Sequence, residues 1–374
     1  MNGCGLISRE IPTLMTASTR KPAPLAYKPD LEEAARRWEA YYAGEIIDRP
    51  VVCVTAPKDG CTAGPGLSYR ERAFGDIDAL IARALAHAEA TYWGGEAVPA
   101  FMPSFGPDEV AVFCGATLHW AEDSGDTNWS EPFVQDWGKA RPLGLIDDHP
   151  LWRRMREYYR RAAERMAGKM LLSPPDLHTN MDLLAAARGP QRLCVDLVER
   201  PEVIDRAMAE ARAVFRELWP AVSRAGRMEE SGYCHLFHSM EGAAVLQCDF
   251  SCMISPAMFR RWVLPALEEE AEIVKHAVYH WDGPGALVHT GDLLASKGLH
   301  TLSYVPGAGR GEPVEYIGLY QRVQAGGKAV QVWGTPEECK VMHRALRPEK
   351  TLYCTTTKTQ SEAEALLEWF VRHT

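Results

Sequence analysis

The chain predicts a (β/α)8 TIM barrel, an α/β fold of eight parallel strands each followed by a helix. Three observations carry that prediction. Eight short apolar runs alternate with eight amphipathic helical stretches, in regular order to the end of the chain. The 374 residues fall within the usual barrel length once one long insertion after the second strand is set aside. Side chains that carry chemistry gather just past the apolar runs, where barrels keep their active sites. A doubly wound open sheet is the alternative, and the count of eight favours the barrel.

The elements follow in order. Residues 31–42 form an amphipathic helix that packs, with the N-terminal segment 1–48, on a single barrel domain spanning 49–374. The first strand is 50–55, rich in valine, and residues 76–92 return as a helix with Leu80, Ile81, Ala84 and Leu85 at helical spacing. After the second strand, 97–102, comes an insertion over 103–150 that carries Trp120, Trp129 and Trp137. Loops that long are usually functional or disordered, and three tryptophans argue for order. Helix 151–166 leads to the third strand, 169–172. A helical return broken at Gly189-Pro190 resumes through 201–222, and the fourth strand is 233–239.

Residues 241–249 read as a connection, and Ser255-Pro256 supplies an N-cap and a first-turn proline for the next helix. The charge run Glu268, Glu269, Glu270, Glu272 reads as that helix's solvated face. The fifth strand, 277–282, ends in His280, Trp281 and Asp282 before a Gly-Pro turn. Strands 300–305, 328–333 and 352–355 complete the eight, with helices at 313–324, 336–346 and 362–372.

Composition narrows the function. With 46% hydrophobic and 24% charged residues the chain has the profile of an ordinary globular protein. It holds no uninterrupted apolar run of the roughly 20 residues a membrane helix needs, and its first residues lack a signal-peptide pattern. The expected location is cytoplasmic. A net charge of -9 argues against nucleic acid as a partner. The ten cysteines are scattered and read as reduced thiols. Cys234, His235, His238, Cys248 and Cys252 are close in sequence, but the apolar run between them argues against a structural zinc knuckle.

At the ends of the predicted strands stand Asp176 and His178, His238 and Glu241 with Asp249, His280 and Asp282, Tyr304 and Arg310, and Cys354. Residues two apart on a strand share a face, so His280 and Asp282 point one way and Trp281 the other. Histidine, carboxylate and thiolate are the ligand types of a catalytic zinc with an open position, and His280, Asp282 and Cys354 form the expected set. Gly307-x-Gly309-x-Gly311 lacks the spacing of a dinucleotide fingerprint, though such a loop with Arg310 suits an anionic group. Walker loop, nucleophile elbow and H-E-x-x-H are all missing.

Over the half of the chain from Asp182 onward a resemblance emerges. Arg188-Gly189, Asp196-Leu197, Arg200-Pro201-Glu202, the stretch Gln247-Cys248-Asp249-Phe250-Ser251 through Phe259-Arg260, Leu264-Pro265, Tyr279-His280-Trp281-Asp282-Gly283 and Gly326-Gly327-Lys328 resemble the uroporphyrinogen decarboxylase superfamily. True porphyrinogen decarboxylases carry an N-terminal Arg-Gln-Ala-Gly-Arg stretch that this chain lacks. The resemblance is closer to the methyltransferase branch, which passes methyl groups between a corrinoid protein and an acceptor and holds zinc with a His-x-Cys pair and a later Cys. His280 and Cys354 stand at the corresponding points, with Asp282 in place of the first Cys.

The resemblance thus implies metal-assisted transfer of a methyl group between a small methylated substrate and a corrinoid protein. Zinc would sit on His280, Asp282 and Cys354. Glu241 or His238 would move the proton or complete coordination, and Asp176, His178, Tyr304 and Arg310 would contact substrate under a lid that includes Trp129. A corrinoid-binding Asp-x-His-x-x-Gly begins at Asp176 but has Met181 in place of its glycine, so the cobalamin belongs to a separate protein. The alternatives are a metal-independent decarboxylase of a carboxylated ring, with Asp249 stabilising the protonated ring, and a non-catalytic ligand-binding barrel.

Overall fold

The computed structural model describes residues 20–62, 64–120, 127–307 and 309–374. Residues 1–19 of the expected N-terminal segment and 121–126 of the expected insertion lie outside the described residues. In chain order the strands are β1 (Val51–Pro57), β2 (Thr91–Gly95), β3 (Ala100–Phe101), β4 (Thr117–His119), β5 (Trp129–Glu131), β6 (Leu171–Leu172), β7 (Tyr233–Cys234), β8 (His238–Ser239), β9 (Ala243–Gln247), β10 (His276–Asp282), β11 (Thr301–Val305), β12 (Ala329–Trp333) and β13 (Thr351–Thr356).

The fold is α/β, with a central sheet ordered β2-β1-β13-β12-β11-β10-β9. All its neighbours are parallel except β2, which runs antiparallel to β1. Beside it β3 and β6 form a separate parallel pair. Among the described residues the ladders do not close this sheet into a ring. Helices fill most crossovers, as parallel strands require, and the runs of valine and leucine in β1, β9, β11 and β12 are buried in one large core. Among the described residues no helix is long and apolar enough to cross a membrane.

Two stretches depart from the sequence expectation. Residues 233–239 are not the fourth parallel strand: β7 and β8 fold back on each other antiparallel, turning at Leu236 with φ 67°. The parallel strand is β9, formed by the apolar run read as a connection. Its entry needs Gly242, where a Cβ would stand 2.4 Å from the Val274 carbonyl oxygen. The second departure is β2, which turns back along β1. Gly95, at φ +60°, permits it, because a Cβ there would lie 2.2 Å from the Val52 carbonyl oxygen.

Just past that turn Glu96, fully buried, binds Arg49 through two contacts of 2.5 and 2.8 Å and accepts from the Val52 N–H at 2.9 Å. Glu96→Ala leaves a buried guanidinium unpaired and is expected to cost about 3–5 kcal/mol, read as a lowered denaturation midpoint. A loss under about 1 kcal/mol, the range of an exposed pair, would contradict this reading. The insertion is not a detached cover. Its Val110, Phe113, Val134 and Trp137 are buried in the main core, and the Trp137 indole donates to Asp196 at 2.8 Å.

Candidate active site

The C-terminal ends of β6, β9 and β10 bring together side chains far apart in sequence. Asp176 and His178 follow β6, and Thr179 leads into the helix Asn180–Arg188, which carries Asp182 in its first turn. His178 lies between two carboxylates, with Nε2 3.5 Å from Asp176 and Nδ1 3.5 Å from Asp182. Burial opposes its charge, but the two carboxylates outweigh burial and hold its pKa well above the ordinary histidine value. The two carboxylates thus favour the charged form of His178, and it in turn holds Asp176 below the usual range despite burial.

The same two carboxylates clamp neighbouring strands. Asp176 accepts from Gln247 Nε2 at 2.6 Å, at the last residue of β9. Asp182 accepts from the backbone N–H groups of Asp249 and Phe250 at 2.9 and 2.8 Å, which fixes the turn Asp249–Met253. Gln247 pairs with His280 in the parallel register, so both face the same side of the sheet. Asp282 shares that face two residues on.

Asp249 is the odd member of this cluster. Its Oδ1 is buried without a hydrogen-bond partner among the described residues. Burial, then repulsion from Asp182, Asp282 and Asp176, push its pKa up to about 7, with His178 pulling the other way. A carboxyl poised at neutrality is the signature of a general acid–base group. His280 moves the opposite way: burial depresses its pKa, which leaves a neutral ring beside Asp282.

No protein-family model matches this chain, and no curated protein matches it in sequence. A solved structure does match. It is a methyltransferase from Methanosarcina mazei, with a TM-score of 0.61 at 12% identity over 90% of this chain and 97% of that chain. At that identity the likeness is one of fold.

Other expected site residues lie elsewhere. Glu241 precedes β9 and His238 ends the β7–β8 ribbon, so both stand at the N-terminal end of the strands, where Glu241 approaches His276 at 3.9 Å. They are placed with the wrong end of the sheet because the real fourth strand begins after them. Tyr304 pairs with Trp281 in register and packs edge-on against it at 5.4 Å. That parity turns Tyr304 away from the face of His280 and Asp282. Arg310 is exposed on its glycine loop. Trp129 is 46% exposed on β5, stacked near His119 at 6.3 Å.

Cys354 is buried on β13, where its Sγ takes a hydrogen bond from Gln331 Nε2 at 3.4 Å and it pairs with Cys53 in register. Among the described residues no group of three or more His, Cys, Asp or Glu is placed to hold a metal ion. His280, Asp282 and Cys354 form no such group among the described residues.

Sequence reasoning missed Glu109 and Glu270, the buried carboxyls that brace the cluster. Glu109 accepts from the Ser104 hydroxyl at 2.9 Å and from the backbone N–H of Phe105 and Asp176 at 2.6 and 3.1 Å. Glu270 accepts from the Thr179 hydroxyl at 2.7 Å, and Asn180 Nδ2 bridges it to the Gln247 carbonyl oxygen. Burial raises both to about 8. Glu270 is 1% exposed, which corrects the reading of its charge run as wholly solvated. The signal was helical spacing: Glu270 falls four residues after Ala266 and four before Val274, on the apolar face.

Proposed function

We propose that this chain is a methyltransferase-type enzyme, passing a methyl group between a small methylated substrate and an acceptor, with Asp249 as the proton carrier. The single observation behind it is the Asp249 carboxyl, orphaned at Oδ1 and poised near pH 7 under the charges of Asp182, His178, Asp282 and Asp176. The likeness in fold to the Methanosarcina mazei methyltransferase supports the reaction class, and the barrel expected from the alternation belongs to the same proposal. A corrinoid protein separate from this chain is the proposed methyl carrier.

In this reading the acceptor's lone pair forms a bond to the methyl carbon as the donor–methyl bond breaks, its electron pair leaving on the donor. The donor atom takes the proton of Asp249 in its acid form as the methyl group leaves, and Asp249 regains a proton from an acceptor that carries one or from solvent when it carries none; the raised pKa suits the carboxyl to this exchange at neutral pH. The charge of His178 opposes the rise of that carboxyl's pKa, and the carboxylates of Asp182, Asp282 and Asp176 favour it. A carboxylated ring substrate fits less well, because the cluster presents carboxylates to it.

The test is an assay of methyl transfer from a panel of methylated amines, thiols and alcohols to cob(I)alamin across pH 5 to 9. The expected result is transfer with a pH limb near 7 that disappears in Asp249→Asn. Transfer without that limb would remove Asp249 from the mechanism, and release of carbon dioxide from a carboxylated ring instead would reject the reaction class. One tightly held zinc per chain, lost in His280→Ala, would restore the metal reading.

A further inference from the structure

Two thiols stand side by side on adjacent strands of the central sheet. Cys53 on β1 and Cys354 on β13 are partners in the parallel register. Neighbouring strands run about 4.8 Å apart, and a disulfide spans Cα separations of about 4.4–6.8 Å. The pair is therefore within bridging reach without a shift of the backbone. Residues directly opposite in a parallel pair also point to one face of the sheet.

That face is the one that carries His280 and Asp282. Cys354 pairs with Trp333 on β12, Ala329 on the same strand pairs with Thr301, and Thr301 pairs with Val278 on β10. Trp333 and Ala329, like Val278 and His280, are separated by an even number of residues, so parity is kept at every step. The two thiols and the two site residues share a side.

The side chains of the pair also meet each other: Cys354 is a hydrogen-bond partner of the Cys53 thiol. Nearby cysteines are held elsewhere. Cys234 turns its Sγ to the Val98 carbonyl oxygen at 3.8 Å, and Cys339, on the helix Pro336–His343, turns its own to the Gly334 carbonyl oxygen at 3.8 Å. Cys339 further interacts with the Thr355 side chain, whose parity on β13 is opposite to that of Cys354. It stands across the sheet from the pair.

Access comes through Cys53. Cys354 is 2% exposed, whereas Cys53 is half-buried and its thiol meets the Leu236 carbonyl oxygen at 3.7 Å in an exposed contact. Leu236, at the turn between β7 and β8, is itself 49% exposed. A disulfide carries no S–H, so closing the pair also removes the Cys53 contact to that turn.

We propose that Cys53 and Cys354 are a redox-active dithiol, closed to a disulfide by a peroxide and reopened by small thiols. With hydrogen peroxide, the Cys53 sulfur takes one oxygen as the O–O bond breaks, and the other oxygen leaves as water with the thiol proton, giving a sulfenic acid. The Cys354 sulfur then attacks the Cys53 sulfur. The S–S bond forms as the S–O bond breaks, and the hydroxyl leaves with the Cys354 proton as a second water. The two sulfurs lose two electrons in total, and the peroxide gains them. In the reverse direction two molecules of a small thiol are oxidised to their own disulfide, and both protein thiols return.

The test is treatment of the full chain with hydrogen peroxide, alkylation of the remaining thiols, and digestion without reductant for mass spectrometry. The expected product is a cross-linked species joining the Cys53 and Cys354 peptides, two hydrogens lighter than their sum and lost on treatment with dithiothreitol. It should be absent from Cys53→Ser and from Cys354→Ser, and kept in Cys234→Ser and Cys339→Ser. Oxidation of Cys53 to a sulfinic acid without a bond to Cys354, a bond from Cys53 to Cys234 in its place, or two thiols that stay reduced while the exposed Cys61 and Cys252 are oxidised would each overturn the proposal.

Discussion

Replacing Asp249 with asparagine is expected to lower the turnover of methyl transfer by about 10²- to 10⁴-fold, the usual worth of a positioned proton carrier. The same variant is expected to be more stable than the parent above neutrality. The folded-state pKa of Asp249 is raised to about 7, from an ordinary value of 3.8. Below pH 4 the carboxyl is protonated in both folded and unfolded chains and costs nothing. As pH rises toward 7 the unfolded chain loses the proton that the folded one keeps, and stability falls. Asparagine removes that penalty, worth about 1–3 kcal/mol at pH 8 after allowance for partial solvent access. Chemical denaturation at pH 4 and pH 8 checks it: the two proteins should match at the lower pH and diverge at the higher. A variant that is active and no more stable at pH 8 would show an ordinary surface carboxylate.

The second large effect is expected at His178. His178→Ala leaves the carboxylates of Asp176 and Asp182 facing each other without the imidazolium between them, at a cost of about 3–5 kcal/mol. The sign runs opposite to that of Asp249. A histidine whose folded pKa is raised contributes stability in full below its unfolded value of 6.5, and loses it as pH rises through the folded value. The gap between parent and variant should therefore be widest at pH 6 and narrow on the alkaline side. A gap that widens with pH would place a neutral ring at this position. The loss should also carry Asp249 upward, since His178 is the group that opposes its shift.

Much of this cluster was legible in the sequence through strand parity. The alternation in residues 277–282 put His280 and Asp282 on one face and Trp281 on the other, and the register bears this out. Asp176, His178 and Asp249 also stand beyond strand ends, as expected of an α/β site. What failed was the choice between two neighbouring apolar runs. Tyr233–Ser239 has aromatic, strand-like composition, yet the fold uses Ala243–Gln247, because only Gly242 lets the chain pass close to Val274. That shift moved Glu241 and His238 to the other end of the sheet. Tyr304 was misjudged for a simpler reason: it stands at a strand end, but its parity matches Trp281. Glu109 escaped because a buried carboxyl is rare and two of its three donors are backbone N–H groups that no spacing rule reveals, whereas Glu270 was legible from its helical spacing but was read together with its more exposed neighbours.

The most direct test of the central claim is the titration of the Asp249 carboxyl itself, followed by carbon NMR of protein labelled at the aspartate side-chain carboxyl, with Asp249→Asn used to assign the signal. The account predicts a midpoint near 7 that falls in Asp282→Asn, where one repelling charge is gone. A midpoint near the ordinary aspartate value of 3.8, unmoved by Asp282→Asn, would contradict it.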